Sequence, residues 1–157
     1  MKKQKDGSLK GSIQNDLDFY ETTKNLLSGF RVADVLIKKF TTLSPDDSLD
    51  KAVHVLLEGY EQDFLVTINE DVIGILTRKQ LIYGLSALGK SASVSHVMQK
   101  DFLTLSPEMN LQDIYLKMLA NAYNVCPVKD NGKLIGIIDK ENVGELILVQ
   151  QATQGRQ

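Results

Sequence analysis

Phe40-Thr41-Thr42-Leu43-Ser44-Pro45 returns 62 positions later as Phe102-Leu103-Thr104-Leu105-Ser106-Pro107, and Ile73-Gly74-Ile75 returns at the same offset as Ile135-Gly136-Ile137. Extended outward from these blocks, Val32 to Gly84 aligns with Val94 to Leu146 without a gap, and 15 of the 53 pairs are identical. Unrelated sequence of average composition gives roughly three. The chain is a duplication, so each half is expected to carry the same local structure.

In each half a short β-prone stretch stops at Ser-Pro, because proline drives the residue before it into extended geometry. A helix follows, its apolar stripe at i, i+3, i+4, i+7 and i+8: Leu49, Ala52, Val53, Leu56 and Leu57, then Leu111, Ile114, Tyr115, Met118 and Leu119. Ser48 and Asn110 stand where an N-cap accepts from first-turn amides. Two brief apolar runs come next, Phe64 to Ile68 and Val72 to Leu76, matched by Val125 to Val128 and Leu134 to Ile138. The turn Asn131-Gly132 tolerates the positive φ of a tight hairpin. A second helix closes each half, near Arg78 to Leu88 and Lys140 to Gln151. The expected fold is α+β, with two β-α-β-β-α repeats and a helix ahead of them. The expected boundaries are a flexible leader at 1–14, a leading helix at 15–30, repeats at 31–90 and 91–150, and a flexible tail at 151–157.

Composition narrows the function. The 157 residues are 43% hydrophobic and 24% charged, which suits a globular chain with a core of its own. With 18 basic against 20 acidic residues there is no global positive field, so no nucleic-acid partner is expected. Cys126, the only cysteine, lies in an apolar run and reads as a buried filler, compatible with a reducing cytoplasm. No apolar run approaches the roughly 18 residues of a membrane span. His54 and His96 lack metal-ligand spacing, and His54 falls off its helix's apolar stripe.

A duplicated unit of about 60 residues, with Ser-Pro before its first helix and Ile-Gly-Ile in its last strand, resembles the CBS domain pair, or Bateman module, over residues 31 to 147. The resemblance implies two repeats packed through their sheets about a pseudo-two-fold axis. It also implies two clefts for adenosine-containing ligands such as AMP, ADP, ATP or S-adenosylmethionine, homodimerisation, and control of an attached protein. The flanks Phe19 to Val32 and Glu141 to Val149 look like the CBS tails of site-2-protease-type membrane zinc metalloproteases. That implies an attached membrane protease and a place in the cytoplasm or at the membrane's cytoplasmic face. The protease's His-Glu-x-x-His helix is absent, so this chain is expected to be no enzyme.

In the family, the last strand of each repeat runs into Gly-h-h-Thr/Ser-x-x-Asp, whose hydroxyl meets phosphate and whose aspartate holds the ribose. The first repeat has Gly74-Ile75-Leu76-Thr77-Arg78-Lys79-Gln80 and the second Gly136-Ile137-Ile138-Asp139-Lys140-Glu141-Asn142, so both lack the aspartate. The resemblance places Thr42, Leu43, Phe64, Leu65, Thr77, Arg78 and Gln80 at the first cleft. It places Thr104, Leu105, Cys126, Pro127 and Asn142 at the second. Thr77 and Asn142 also suit helix capping. Two alternatives stand beside a ligand sensor: a dimerisation module with empty clefts, and a P-loop-like NTPase built on Gly84-Leu85-Ser86-Ala87-Leu88-Gly89-Lys90-Ser91. The last segment lacks a buried strand before it and a helix after it, the context a phosphate loop requires.

Overall fold

The computed structural model describes residues 2–154 and the side chains of 15–154. It is an α+β fold. A long helix α1 (Lys2–Leu27) leads, followed by a 3-10 turn at Val32–Val35. The first repeat then runs β1 (Thr42–Leu43), α2 (Leu49–Glu58), β2 (Asp63–Ile68), β3 (Asp71–Thr77) and α3 (Arg78–Leu88). After a second 3-10 turn at Val94–His96 come α4 (Leu111–Asn121), β4 (Val125–Asp130), β5 (Lys133–Asp139) and α5 (Lys140–Gln154). The second repeat's expected first strand is reduced to a single parallel bridge, Leu105 to Val128.

The helices start where their sequences provide caps. Ser48 accepts from the Lys51 N–H at 3.1 Å, and Asn110 from the Gln112 N–H at 3.0 Å, each satisfying a first-turn amide that the helix itself cannot. The hairpin turns sit in left-handed backbone, Asn69 at φ 49° and Glu70 at 73° in one repeat, Asn131 at 52° and Gly132 at 77° in the other. Helix α1 begins upstream of the expected Asn15 and takes in most of the expected leader, and α5 continues to Gln154 into the expected tail.

The two repeats exchange their leading segments. Ile37, in the segment leading into β1, pairs antiparallel with Ile137 on β5, with N···O distances of 2.9 Å in both directions. Its image 62 residues on, Gln99, pairs with Ile75 on β3 at 2.7 and 2.9 Å. The same exchange recurs upstream: the Val32 amide donates to Met109 and the Val94 amide to Asp47, at 2.9 and 2.8 Å. Each sheet is therefore extended by a single-residue bridge from the leading segment of the other repeat.

Packing follows the exchange. Val94 lies in one core with Leu43, Leu49, Phe64 and Leu76, while Leu27 and Val32 lie in the other with Leu111, Met118, Cys126 and Ile138. A third cluster, Leu65, Ile75, Val125 and Ile137, takes members from both repeats and forms the seam between the sheets. Gly74 and Gly136 are required by the crossing segments. A Cβ at Gly136 would stand 2.6 Å from the Ile37 carbonyl oxygen, and one at Gly74 would stand 2.7 Å from the Met98 sulfur.

One sequence expectation is corrected and one alternative is set aside. Leu57 leaves the apolar stripe of α2 and is 78% exposed, because the helix ends one residue later, at Glu58. Gly84 to Leu88 belongs to α3, which stops at Gly89 in left-handed backbone (φ 85°), and only a three-residue 3-10 turn follows. In that loop the carbonyls of Lys90 and Ala92 accept from the Asp50 and Leu49 amides, at 3.1 and 2.9 Å. The segment thus offers carbonyl oxygens to the start of α2, the reverse of the free amides that hold phosphate. The NTPase reading falls with it.

Candidate functional site between the repeats

Thr77 ends β3 and caps α3. Its hydroxyl accepts from the Gln80 N–H at 3.2 Å while its own backbone N–H donates to Gln80 Oε1 at 3.3 Å, closing a reciprocal capping box, and the hydroxyl donates to the same Oε1 at 3.1 Å. The Gln80 carbonyl oxygen is thereby committed, while its NH₂ group remains a donor. Thr77 and Gln80 line a cleft of about 470 Å³ together with Tyr83, Gln99, Asn121 and Asn124. Gln99 arrives on the exchanged segment. Asn121 and Asn124 come from the second repeat, where Ala122 in left-handed backbone (φ 56°) ends α4 and turns the chain back. The cleft thus joins parts of both repeats around amide and hydroxyl groups.

Arg78 lines a different cavity, of about 230 Å³, with Gln62, Asp63, Asn124, Asp139, Lys140 and Glu141. Gln62 and Asn124 are images in the 62-residue register, as are Arg78 and Lys140, so this cavity lies on the pseudo-two-fold axis. Asn124 belongs to both cavities, which therefore share a wall. Asp63, at the start of β2, accepts from the Arg78 N–H at 3.3 Å. Burial raises its carboxyl above the usual value, and the charges of Asp139 and Glu141 push the same way. The Arg78 amide and the Asn124 side chain oppose them by hydrogen bonding to it.

The second repeat is built differently at the matching point. Asp139 replaces the threonine and caps α5, accepting from the Glu141 N–H at 2.8 Å, so the capping role expected of Asn142 falls to Asp139. Asn142 is exposed on α5 and lines a shallow hollow of about 410 Å³ with Asp34, Leu36 and Glu145. The expected wall residues are placed elsewhere. Leu43, Phe64, Leu65, Leu105, Cys126 and Pro127 are sealed in the interior, and the Cys126 thiol is pushed up to about 12 by burial. Thr42 lines a small separate cavity with Phe40 and Leu134, and Thr104 is exposed. Of the first-cleft set, only Thr77 and Gln80 are brought together. Gln62, Asp63, Tyr83, Gln99, Asn121 and Asn124 were not anticipated; the pairing of polar Gln62 with polar Asn124 in the register was the available signal.

The comparisons agree with this architecture. Homoserine O-acetyltransferase of Methanococcoides burtonii is 30% identical over 126 residues, covering 78% of this chain and 25% of that protein. Inosine-5'-monophosphate dehydrogenase of Korarchaeum cryptofilum is 28% identical over 114 residues, covering 72% and 23%. The chain spans about a quarter of the length of these curated relatives. Among solved structures, a CBS-domain protein of Agrobacterium tumefaciens superposes with a TM-score of 0.68 at 26% identity, covering 76% of this chain and 96% of that one. The CBS domain pair of protein MJ0100, solved with 5'-methylthioadenosine and S-adenosyl-L-methionine, gives 0.69 at 20% identity, covering 76% and 97%. That second likeness speaks to the fold alone. The CBS domain model matches residues 32–87 and 94–148, and the chain belongs to the CBS domain family.

Proposed function

We propose that this chain is a regulatory CBS pair that binds an adenosine-containing ligand in the cleft at Thr77 and passes its occupancy to a partner protein. The observation that carries this is the cleft itself: it holds the one hydroxyl kept from the family motif, and its walls come from both repeats. A ligand there contacts both repeats at once, so it favours one packing of the pair over another by its difference in affinity for the two. The chain's role is control, with any catalysis belonging to the attached protein. Acetyltransferase and dehydrogenase relatives both match over about a quarter of their lengths, so the module does not by itself specify the enzyme. The Phe19 to Val32 and Glu141 to Val149 flanks are what support a membrane zinc metalloprotease as the partner.

The test is thermal unfolding with adenosine, 5'-methylthioadenosine, S-adenosylmethionine, AMP, ADP and ATP. A ligand at a hundred times its Kd stabilises the fold by about 2.7 kcal/mol, a Tm rise of about 5–10 °C for a chain of this size. Thr77→Ala should remove the rise at a cost of about 1 kcal/mol for the lost cap. Tyr83→Ala, on an exposed side chain of the cleft wall, should weaken it without touching the cap. If no compound moves Tm, the module is structural. Exposed Leu57, Ile82, Tyr83, Leu148 and Val149 on the helices support that reading, in which a homodimer forms through helical faces. Sedimentation of the ligand-free protein measures that directly.

A further inference from the structure

Helix α1 belongs to neither repeat and treats the two unequally. It packs along α4 and α5, with Thr23, Leu26 and Leu27 buried and Leu27 in one core with Tyr115 and Met118. The 62-residue register carries the face it covers onto α2 and α3, where Val53, Leu56, Leu57, Ile82 and Leu85 are the images of Tyr115, Met118, Leu119, Gly144 and Ile147. That image face is open to solvent. Val53 and Leu56 are half-buried where Tyr115 and Met118 are sealed, Leu57 is 78% exposed and Ile82 50%. An apolar patch on one half of a duplicated fold, whose image on the other half lies under a helix, marks a surface for association.

Charge points to the occupant. Asp50, Val53 and Leu57 share one side of α2 at i, i+3 and i+7, and Lys79, Ile82 and Ser86 share one side of α3 at the same spacing. Each helix thus sets one charge beside its apolar residues, acidic on α2 and basic on α3. Among the described residues, no ion pair within 4.0 Å joins Asp50 to Lys79. A two-fold axis that lays α2 of one copy on α3 of the other brings Asp50 to Lys79 twice, because in such an interface residue i meets j and j meets i. The images of this pair under α1 are Gln112 and Glu141, so the self-complementary pattern is confined to the open face. We infer that a second copy of this chain docks on the α2–α3 face, α2 of each copy against α3 of the other, while α1 closes the equivalent face of the second repeat. The dimer is then joined at the first repeats alone, and both α1 helices stay on its outside. The inference rests on the homodimer reading and gives it a face. Lys79 also lines the Thr77 cleft, so the interface runs along that cleft's rim.

Sedimentation equilibrium of the full chain across a wide concentration range tests this. Leu57→Glu should weaken dimerisation by about a hundredfold, since the interface would bury the new carboxylate twice. Leu148→Glu, on exposed α5 of the second repeat, should leave it as it was. Asp50→Lys sets like charges opposite each other and should weaken the dimer by about tenfold, and adding Lys79→Asp should restore it to within about threefold. A variant that is merely less stable shows a lowered Tm and is not rescued by reversing a second charge. A dimer that Leu148→Glu dissociates, that Leu57→Glu leaves intact, or that the charge swap fails to restore overturns the inference and leaves the homodimer reading standing. A chain that is monomeric at every concentration overturns both.

Discussion

Phe64 and Cys126 hold the same place in the two repeats, 62 residues apart, and both are buried to within 1%. The larger side chain sits on the strand of the first repeat. On the facing helix the order reverses: Ala52 and Val53 in α2 correspond to Ile114 and Tyr115 in α4. One repeat fills its core from the strand and the other from the helix. The backbone was duplicated, and the volume inside was then redistributed, since close packing fixes a core's total and not which wall supplies it.

The largest expected effects come from breaking that exchange of volume. Phe64→Cys should cost about 3 kcal/mol, lowering Tm by about 6–12 °C, because it leaves a cavity under α2. Ala52→Ile, at a position with no exposed surface, should cost about 1–3 kcal/mol by overpacking. Combined, they reproduce the second repeat's arrangement inside the first, and the double variant should recover at least 1 kcal/mol relative to the sum. A double-mutant cycle from urea unfolding reads this coupling. Strict additivity would show that the two walls do not compensate.

The crossing segments give a second contrast. At Gly136 an added methyl would meet the Ile37 carbonyl oxygen at 2.6 Å and Leu36 carbon atoms at 2.6 and 2.8 Å, a backbone atom and a branched side chain with little room to withdraw. At Gly74 the nearest atoms are the sulfur and Cγ of Met98, at 2.7 and 2.9 Å, on a flexible side chain. Gly136→Ala should therefore destabilise by about 3 kcal/mol and Gly74→Ala by about 1. Thermal melts of the pair rank them; equal losses would mean that the two crossings are equally rigid.

What was legible in the sequence is what local chemistry decides. The register, the caps at Ser48 and Asn110, the Asn131-Gly132 turn and the buried place of Cys126 all follow from neighbouring residues, and the structure has each of them. Which leading segment bridges to which sheet did not follow. Ile37 reads as the start of the first repeat, and its partner Ile137 lies 100 residues away, so no local pattern distinguishes pairing within a repeat from exchange between repeats. The candidate site was half legible for the same reason. Thr77 and Gln80 belong to one turn, whereas Gln99 and Asn124 reach the cleft only because the segments cross. The apolar wall residues were expected at a surface that the packing of Phe64 and Leu43 against α2 and α3 closes off.

The smallest expected effect lies where the repeats differ by a charge. Asp63 corresponds to Val125, which is 4% exposed in the seam, so the first repeat places a carboxyl where the second places an apolar side chain. Burial raises the Asp63 carboxyl in the folded state above its ordinary 3.8, with Asp139 and Glu141 acting in the same direction. As pH rises past the unfolded value, the unfolded chain gives up this proton first, so ionisation favours unfolding. This group's contribution to stability therefore falls from about pH 4 up through its folded pKa and is constant above it. Asp63→Asn keeps an oxygen to accept the Arg78 N–H and has no proton to lose. The variant should match the parent below the ordinary carboxyl range and gain on it progressively towards neutral pH, as urea unfolding at a series of pH values would show. Parallel stability curves for the two proteins would mean that Arg78 and Asn124 fully compensate the burial, and that the axial cavity holds its carboxylates at no cost to the fold.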